Sequence, residues 1–219
     1  MPAFNVEPHL ADLIDRDSRF IPLDQMLIVD DGSTDGTRAV GGRLGVRVLS
    51  HSENQGKGAS LVKGFSALCD LKARWIITQD GDLQHDPAHL PAFIDAAAAD
   101  RCDLVIGARQ RIGSMPWDRR FSNWSTSAFL SLLAGQRLPD AQSGYRLLRS
   151  SMLAGMVFRC RRYDLETELL LKFIRRGARI GSVPISTEYH RSASSIHRGA
   201  DTLRFLKIVL RYLIFRHEF

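Results

Sequence analysis

Short apolar runs alternate along the chain with longer stretches of mixed polarity, and most runs end in a polar loop. Gln25 to Val29, Val46 to Ser50, Trp75 to Thr78 and Asp103 to Gly107 are too short for helices and predict buried strands. Between them, Pro8 to Ile14, the stretch opened by Asn54 to Ser60 that runs to about Cys69, and Leu90 to Ala99 predict helices. Strand and helix alternating through residues 1–109 predict an α/β layered fold with a mostly parallel sheet. Beyond Arg109 the rhythm changes. Gln110 to Asn123 holds Arg111, Arg119 and Arg120 with Gly113 and Pro116, and Ser125 to Leu133 predicts an amphipathic helix. Asp140 to Arg149 predicts a loop running into a strand, Arg162 to Glu168 leads into a helix through Phe173, and Arg179 to Pro184 predicts a strand. After the polar segment Ser186 to Ala200, Thr202 to Phe215 sets Leu203, Leu206, Val209, Leu210 and Leu213 among Arg204, Lys207 and Arg211. That is a basic amphipathic helix, which either packs on the domain or lies at a membrane surface.

A chain of 219 residues can bury one sizeable core, so one domain with peripheral additions is expected. A formal net charge of +6 favours phosphate-bearing partners, whether nucleotides, nucleic acid or an anionic membrane face. No nucleic-acid-binding module is recognisable beside that charge. Three widely spaced cysteines, Cys69, Cys102 and Cys160, suggest neither a disulfide framework nor a zinc site and fit a reducing compartment. Nothing at the N-terminus reads as a signal peptide. No uninterrupted apolar run approaches the roughly 20 residues of a spanning helix, so the chain is not expected to cross a membrane on its own.

The stretch richest in chemistry is Ile76 to Pro87. An apolar run feeds a loop in which Asp80 and Asp82 flank Gly81, and Asp86-Pro87 reads as an N-cap with proline at the first helical position. Carboxylates so spaced after a strand can converge on one cation at the sheet's carboxyl edge, or can form an acidic turn that satisfies its own backbone. The loop Asp30 to Thr37 suits ribose hydroxyls, base N–H groups or help with a metal, and its carboxylates would repel a phosphate; a plain capped turn is the alternative. Gly56 and Gly58 flanking Lys57 resemble an anion site, although their spacing is not that of the P-loop.

Taken in order, Pro-Ala-Phe-Asn-x-Glu, Val-Asp-Asp-Gly-Ser-Thr-Asp-Gly-Thr, Asn-x-Gly-Lys-Gly, Gln-Asp-Gly-Asp-Leu-Gln-His-Asp-Pro, Gly-Ala-Arg, Gln-Ser-Gly-Tyr-Arg and Val-Pro-Ile resemble a family 2 glycosyltransferase. The branch they are most similar to is that of dolichol-phosphate mannose synthase and its bacterial polyprenyl-phosphate relatives, and the resemblance covers nearly the whole chain. It implies a single GT-A domain, Rossmann-like, with a nucleotide-sugar and metal half over 1–109 and an acceptor half over 110–219 that ends in the basic amphipathic helix.

Residue by residue, the resemblance implies that Asp80, Asp82 and Gln84 hold Mg²⁺ or Mn²⁺. It implies that Pro2, Ala3, Asn5, Glu7, Asp30, Asp31, Lys57, Gly58, Asp80 and Gly81 line the nucleotide sugar, although Val6 stands where relatives more often have Glu. Asp82, Arg109 and Arg120 are the expected catalytic positions, Arg109 facing the diphosphate and acceptor phosphate. Arg119, Arg191 and Arg198 are the candidates for further contact with the acceptor phosphate. The resemblance also implies an apolar central strand ahead of Pro2, where this chain has only Met1. A sheet gapped in its core is then expected, from a start assigned too late or a fragment, with stability and activity of the chain as written left open.

The chemistry agrees with these residue types. A cation and arginines can neutralise the charge that develops on a departing nucleoside diphosphate. A lipid phosphate is already ionised near neutral pH and needs no general base, whereas a sugar hydroxyl would need one, for which Glu166 and Glu168 are available. The Gln-x-x-Arg-Trp motif of processive polysaccharide synthases is absent. The expected activity is inverting, metal-dependent transfer of a hexose from a nucleotide sugar of the GDP-mannose or UDP-glucose type to polyprenyl phosphate or another lipid-linked acceptor. The chain would act peripherally at the cytoplasmic membrane face, by direct contact or through a membrane partner protein. The alternatives are the same fold with a hydroxyl acceptor, and a non-catalytic nucleotide-sugar-binding module.

Overall fold

The structure, a computed structural model, describes residues 1–110, 117–186 and 198–214; within the helices over 117–134 and 198–214 it describes side chains at 126–134, at 205 and at 207–214. Among the described residues the elements run β1 (Pro2–Ala3), α1 (Glu7–Ser18), β2 (Leu27–Asp30), α2 (Thr37–Arg43), β3 (Arg47–Ser50), α3 (Lys57–Asp70), β4 (Trp75–Thr78) and α4 (Leu90–Ala99). There follow β5 (Leu104–Arg109), α5 (Trp117–Ala134), β6 (Arg146–Arg149), α6 (Leu165–Arg175), β7 (Ile180–Ile185) and α7 (Arg198–Ile214).

The strands form two sheets, β1-β2-β3 and β4-β6-β5-β7. The first is wholly parallel, as expected, with Pro2 opposite Val29 and Leu27 opposite Arg47. The second is mixed: β5 and β7 run parallel, but β6 lies antiparallel to both β4 and β5. Among the described residues three of the five strand pairings are parallel, in keeping with the expected mostly parallel sheet, and the one reversed strand, β6, matters for function. Because Arg146, the first residue of β6, pairs with Thr78 and Ile106, the loop ahead of β6 is delivered to the carboxyl edge where β4 and β5 end. The first strand, β1, is two residues long, and the Met1 ammonium donates to Leu27 O at 2.9 Å.

Why both faces of the second sheet must be covered is plain from its sequence. Leu104, Ile106 and Leu148 join Leu61 and Phe65 of α3 and Leu169, Leu170 and Phe173 of α6 in one cluster. Their strand neighbours Val105 and Leu147 point the other way, onto Leu90 and Phe93 of α4. On the first sheet, Ala3 and Ile28 pack with Leu10 and Ile14 of α1 and Val40 of α2.

Several boundaries differ from the expected ones. α1 continues four residues past Ile14 because Asp17, a charged residue that argues for the end of an apolar face, is itself buried. α5 starts at Trp117, eight residues ahead of the helix expected over Ser125 to Leu133. α7 packs on the body: Ile208 and Tyr212 are buried in the cluster that α6 belongs to, while Leu210, Leu213 and Ile214 stay exposed. No helix among the described residues is long and apolar enough to cross a membrane.

Candidate functional site

Loops from four strands meet at the shared carboxyl edge: Asp30-Asp31 after β2, Gln79 to Asp82 after β4, Arg109 at the end of β5, and Asp140 to Tyr145 before β6. At the centre is an ion triad. Lys57, the first residue of α3, places its Nζ 2.8 Å from each Asp80 carboxylate oxygen and 2.7 Å from Glu166 Oε1 at the start of α6. The contact with Glu166 is Coulombic, for Oε1 is buried with no aligned hydrogen-bond donor. Burial alone would lower the Lys57 pKa, but Asp80 and Glu166 outweigh it and hold the ammonium above its ordinary value. Burial likewise works to raise Asp80, and Lys57 and His85 overcome it, so that its carboxyl lies below the usual range.

Gly144 forms the floor of this triad. A Cβ there would stand 2.7 Å from Glu166 Oε1, 2.9 Å from Lys57 Nζ and 3.4 Å from Asp80 Oδ2. Beneath lies Arg146, fully buried, whose guanidinium donates to Ser143 O (2.7 Å), Ala141 O (2.8 Å) and Glu166 O (2.8 Å). One side chain thus ties the loop carrying Gly144 to the helix start carrying Glu166.

Asp82 lies two residues beyond Asp80. Its Oδ1 accepts from Gln84 N at 3.1 Å in a tight turn that puts Leu83 at φ 59°. Burial first, then the negative charge of Asp80, push its carboxyl up. His85, buried and stacked 4.9 Å from the Tyr145 ring, brings Nδ1 within 3.3 Å of Asp80 N. The first loop passes over Gly81, with Pro2 O and Val6 at 3.4 Å from where its Cβ would be.

Beside the triad is an open cleft of ≈ 640 Å³ lined by Asp30, Gly32 to Asp35, Arg38 and Ser50 to Ser52. Several expected nucleotide contacts border it and have structural commitments. Asn5 Oδ1 accepts from Thr34 N at 2.9 Å, and Glu7 Oε2 accepts from Gly36 N at 2.7 Å, fastening the first loop to the second. Asp31 accepts from Gln55 N (3.0 Å) and Gly56 N (2.8 Å), which fixes the entry to α3 and thereby Lys57. Asp30 accepts from Ser33 N at 3.0 Å. Gly58 faces the Arg161-Arg162 backbone, 2.6 Å from a Cβ placed there, so the crossing loop requires glycine.

Arg109 is held by a carboxylate that sequence reasoning passed over. Asp140 accepts from its Nε at 2.6 Å and its Nη2 at 2.9 Å, a two-pronged pair in which Asp140 is buried. Of the two candidate bases, Glu166 is the partner of Lys57. Glu168 is buried, accepts from Arg159 N and Cys160 N at 3.0 and 2.9 Å, and pairs with Lys172 at 3.5 Å. The structure therefore brings together Pro2, Asp80, Gly81, Asp82, Gln84, Lys57 and Gly58, with Arg109 at the same edge. Arg111 and Arg191 lie outside the described residues; Arg119 and Arg120 fall within α5 and Arg198 opens α7, their side chains likewise outside them. Asp140, Gly144, Arg146 and the pairing of Glu166 with Lys57 were missed. The string Gln-Ser-Gly-Tyr-Arg was the available signal, its glycine beside a buried arginine.

Comparison with known proteins gives the arrangement its context. The model of Glycosyl transferase family 2 matches residues 1–156. The chain is 28% identical over 239 residues (99% of this chain, 94% of the other) to the UDP-N-acetylglucosamine–dolichyl-phosphate N-acetylglucosaminyltransferase of Methanococcus voltae. It is 28% identical over 198 residues (85% and 81%) to the undecaprenyl-phosphate mannosyltransferase of Micrococcus luteus. Among solved structures, glucosyl-3-phosphoglycerate synthase from Mycobacterium tuberculosis, crystallised with Mn²⁺ and uridine-diphosphate-glucose, superposes with a TM-score of 0.76 at 22% identity, over 95% of this chain and 76% of that one. The fold is accordingly that of the GT-A glycosyltransferases.

Proposed function

For a chain that belongs to glycosyl transferase family 2, we propose transfer of a hexose from a nucleotide sugar to a polyprenyl phosphate, with inversion at the anomeric carbon. The observation that carries this reading is the engagement of both candidate bases. Glu166 is paired to Lys57 and Glu168 to two backbone N–H groups and Lys172, so neither is poised to deprotonate a hydroxyl. A phosphate oxygen, ionised at neutral pH, needs no such help. The names of relatives that act on dolichyl and undecaprenyl phosphates point the same way.

The nucleoside fits the cleft bordered by Asp30 and His51, with the diphosphate directed toward Lys57 and the loop of Asp80 and Asp82. Those two carboxylates and the Gln84 amide form an oxygen-only donor set suited to a hard divalent ion such as Mg²⁺ or Mn²⁺. One feature of the site fits that ion: the Asp82 carboxyl is raised by burial and by the neighbouring Asp80 charge, so countercharge there is favourable. No group of three or more His, Cys, Asp or Glu among the described residues is placed to hold a metal ion, so substrate phosphates would have to supply the remaining ligands. A bound cation would supply countercharge to the departing diphosphate. Arg109, oriented by Asp140, faces the reacting phosphates, and Arg119, Arg120, Arg191 and Arg198 are the basic residues offered to the acceptor. The exposed Leu210, Leu213 and Ile214 of α7 suit peripheral contact with the membrane holding a lipid acceptor.

The test is radiolabelled transfer from GDP-mannose and UDP-glucose to a short polyprenyl phosphate, with Mg²⁺ or Mn²⁺ and with chelator. Metal-dependent lipid product is expected, abolished by Asp82→Asn in a variant that still melts cooperatively. Product from hydroxyl acceptors alone would overturn the acceptor reading, and full activity of Asp82→Asn would overturn the metal site.

A further inference from the structure

The Lys57 ammonium lies against three carboxylate oxygens, two of Asp80 at 2.8 Å and one of Glu166 at 2.7 Å. It already occupies the position of a counter-ion on the carboxylate expected to bind metal. A divalent cation approaching Asp80 meets a buried positive charge within about the distance of its own ligands. Conversely, Lys57 cannot reach a diphosphate without releasing Asp80. Glu166 is the fixed end of this arrangement, because Arg146 holds its backbone: Glu166 O accepts from Arg146 Nη1 at 2.8 Å. Its carboxylate can keep the ammonium compensated after Asp80 lets go, and Gly144 leaves the open floor over which the side-chain end can swing.

We propose that Lys57 is the resident counter-ion of Asp80 and that Glu166 is the positioning residue on which it pivots, so that divalent cation and nucleoside diphosphate bind this site synergistically. The cation alone must displace a buried ammonium that then has only Glu166. With a diphosphate present, the displaced ammonium gains a second anion, and each ligand thereby favours the other by the same factor. The proposal rests on the metal reading of Asp80 and Asp82 given above.

The experiment titrates Mn²⁺ into the full chain, following free Mn²⁺ by electron paramagnetic resonance, alone and with saturating UDP or GDP. For the unmodified chain, one of the diphosphates should tighten Mn²⁺ binding at least tenfold. The double variant Lys57→Met/Glu166→Gln, which keeps the net charge of the triad and leaves Asp80 without its counter-ion, should bind Mn²⁺ alone at least tenfold tighter than the unmodified chain and lose most of the synergy. Glu166→Gln alone, leaving Lys57 to Asp80 only, should weaken binding of Mn²⁺ alone, and adding Lys57→Met should reverse that loss, which a merely structural role would not do. Lys57→Gln serves in place of the double variant if circular dichroism shows that the latter does not fold. Equal Mn²⁺ affinity of the unmodified chain and the charge-removed variant, with the diphosphate effect intact in both, would overturn the pivot and leave the metal reading standing. No Mn²⁺ binding to the unmodified chain with either diphosphate would overturn both.

Discussion

Replacing Gly144 by alanine tests the triad with every charged group left in place. Its φ is not in the left-handed region, so the backbone accepts alanine, and the atoms in the way are the far ends of flexible side chains. The steric cost is therefore small and the electrostatic cost dominates. To restore ordinary contact from 2.7 and 2.9 Å, the Glu166 and Lys57 ends must each retreat by about half an ångström or more, stretching their pairing with Asp80 and with each other. At an effective dielectric of about 20, opening one such pair from roughly 2.8 to 3.5 Å loses about 1 kcal/mol, hence about 2 kcal/mol for the two pairs of the triad. For a chain of this size that is a fall in Tm of about 4–8 °C. If the same misplacement reaches the transition state, 1.4 kcal/mol or more of lost stabilisation lowers transfer at least about tenfold. Differential scanning calorimetry and the radiolabelled transfer assay read the two effects. Gly42→Ala in α2, where an added Cβ meets nothing within 4 Å, is the control and should be neutral or stabilise by up to about 1 kcal/mol. A Gly144→Ala protein with unchanged Tm and turnover would refute the packed triad.

Gly58→Ala should behave differently, because its Cβ meets backbone atoms of Arg161 and Arg162 at 2.6 and 2.7 Å; overpacking there should cost about 1–3 kcal/mol in a denaturant melt. Asp140→Ala removes the two-pronged pair from Arg109 and should destabilise by about 2 kcal/mol, while Arg109→Lys, unable to make that pair, should lower transfer with a smaller loss of stability; additive losses in the double variant would show that the two do not act together. Far from the site, hydrogen bonds from Arg179 above all, and then from Arg149, lower the Asp103 carboxyl to about 2. Its contribution is present above the unfolded-state value near 4 and is lost as pH falls toward 2, so Asp103→Asn should destabilise by about 1 kcal/mol at pH 7, after allowance for solvent screening, and by progressively less below pH 4. A loss independent of pH between 7 and 3 would count against the ion pairs.

Much of the fold was legible because its signals are local. β4 fell on the apolar run Trp75 to Thr78, α3 on the stretch after Gly56, and Asp86 caps the turn at Pro87 through Ala88 N at 2.9 Å, all features set within a few residues. The candidate loop after β4 was legible for the same reason: Asp80, Gly81 and Asp82 follow one strand. What escaped depends on chain reversal. Nothing in the periodicity of Arg146 to Arg149 says that this strand runs against its neighbours, yet that direction alone brings Gly144 onto Asp80. Glu166 looked like a helix-start carboxylate because its partner Lys57 is 109 positions away, and Asp140 looked like a loop residue because Arg109 is 31 away. Asp17 hid the end of α1, since a buried carboxyl contradicts the pattern on which helix limits are read.

The buried Arg146 has a consequence for how this protein can change over generations. Surface loops at a sheet edge ordinarily tolerate insertions, and diversification of enzymes exploits that freedom. Here one guanidinium takes carbonyls from Ser143, Ala141 and the first turn of α6, so lengthening the chain between 141 and 146, or sliding the helix start, would strand a desolvated cation. Drift in substrate preference is thereby channelled into segments outside this clamp, such as the stretch separating Arg109 from Asp140. The donor-side geometry is inherited as a unit while the remainder is left open to experiment by selection.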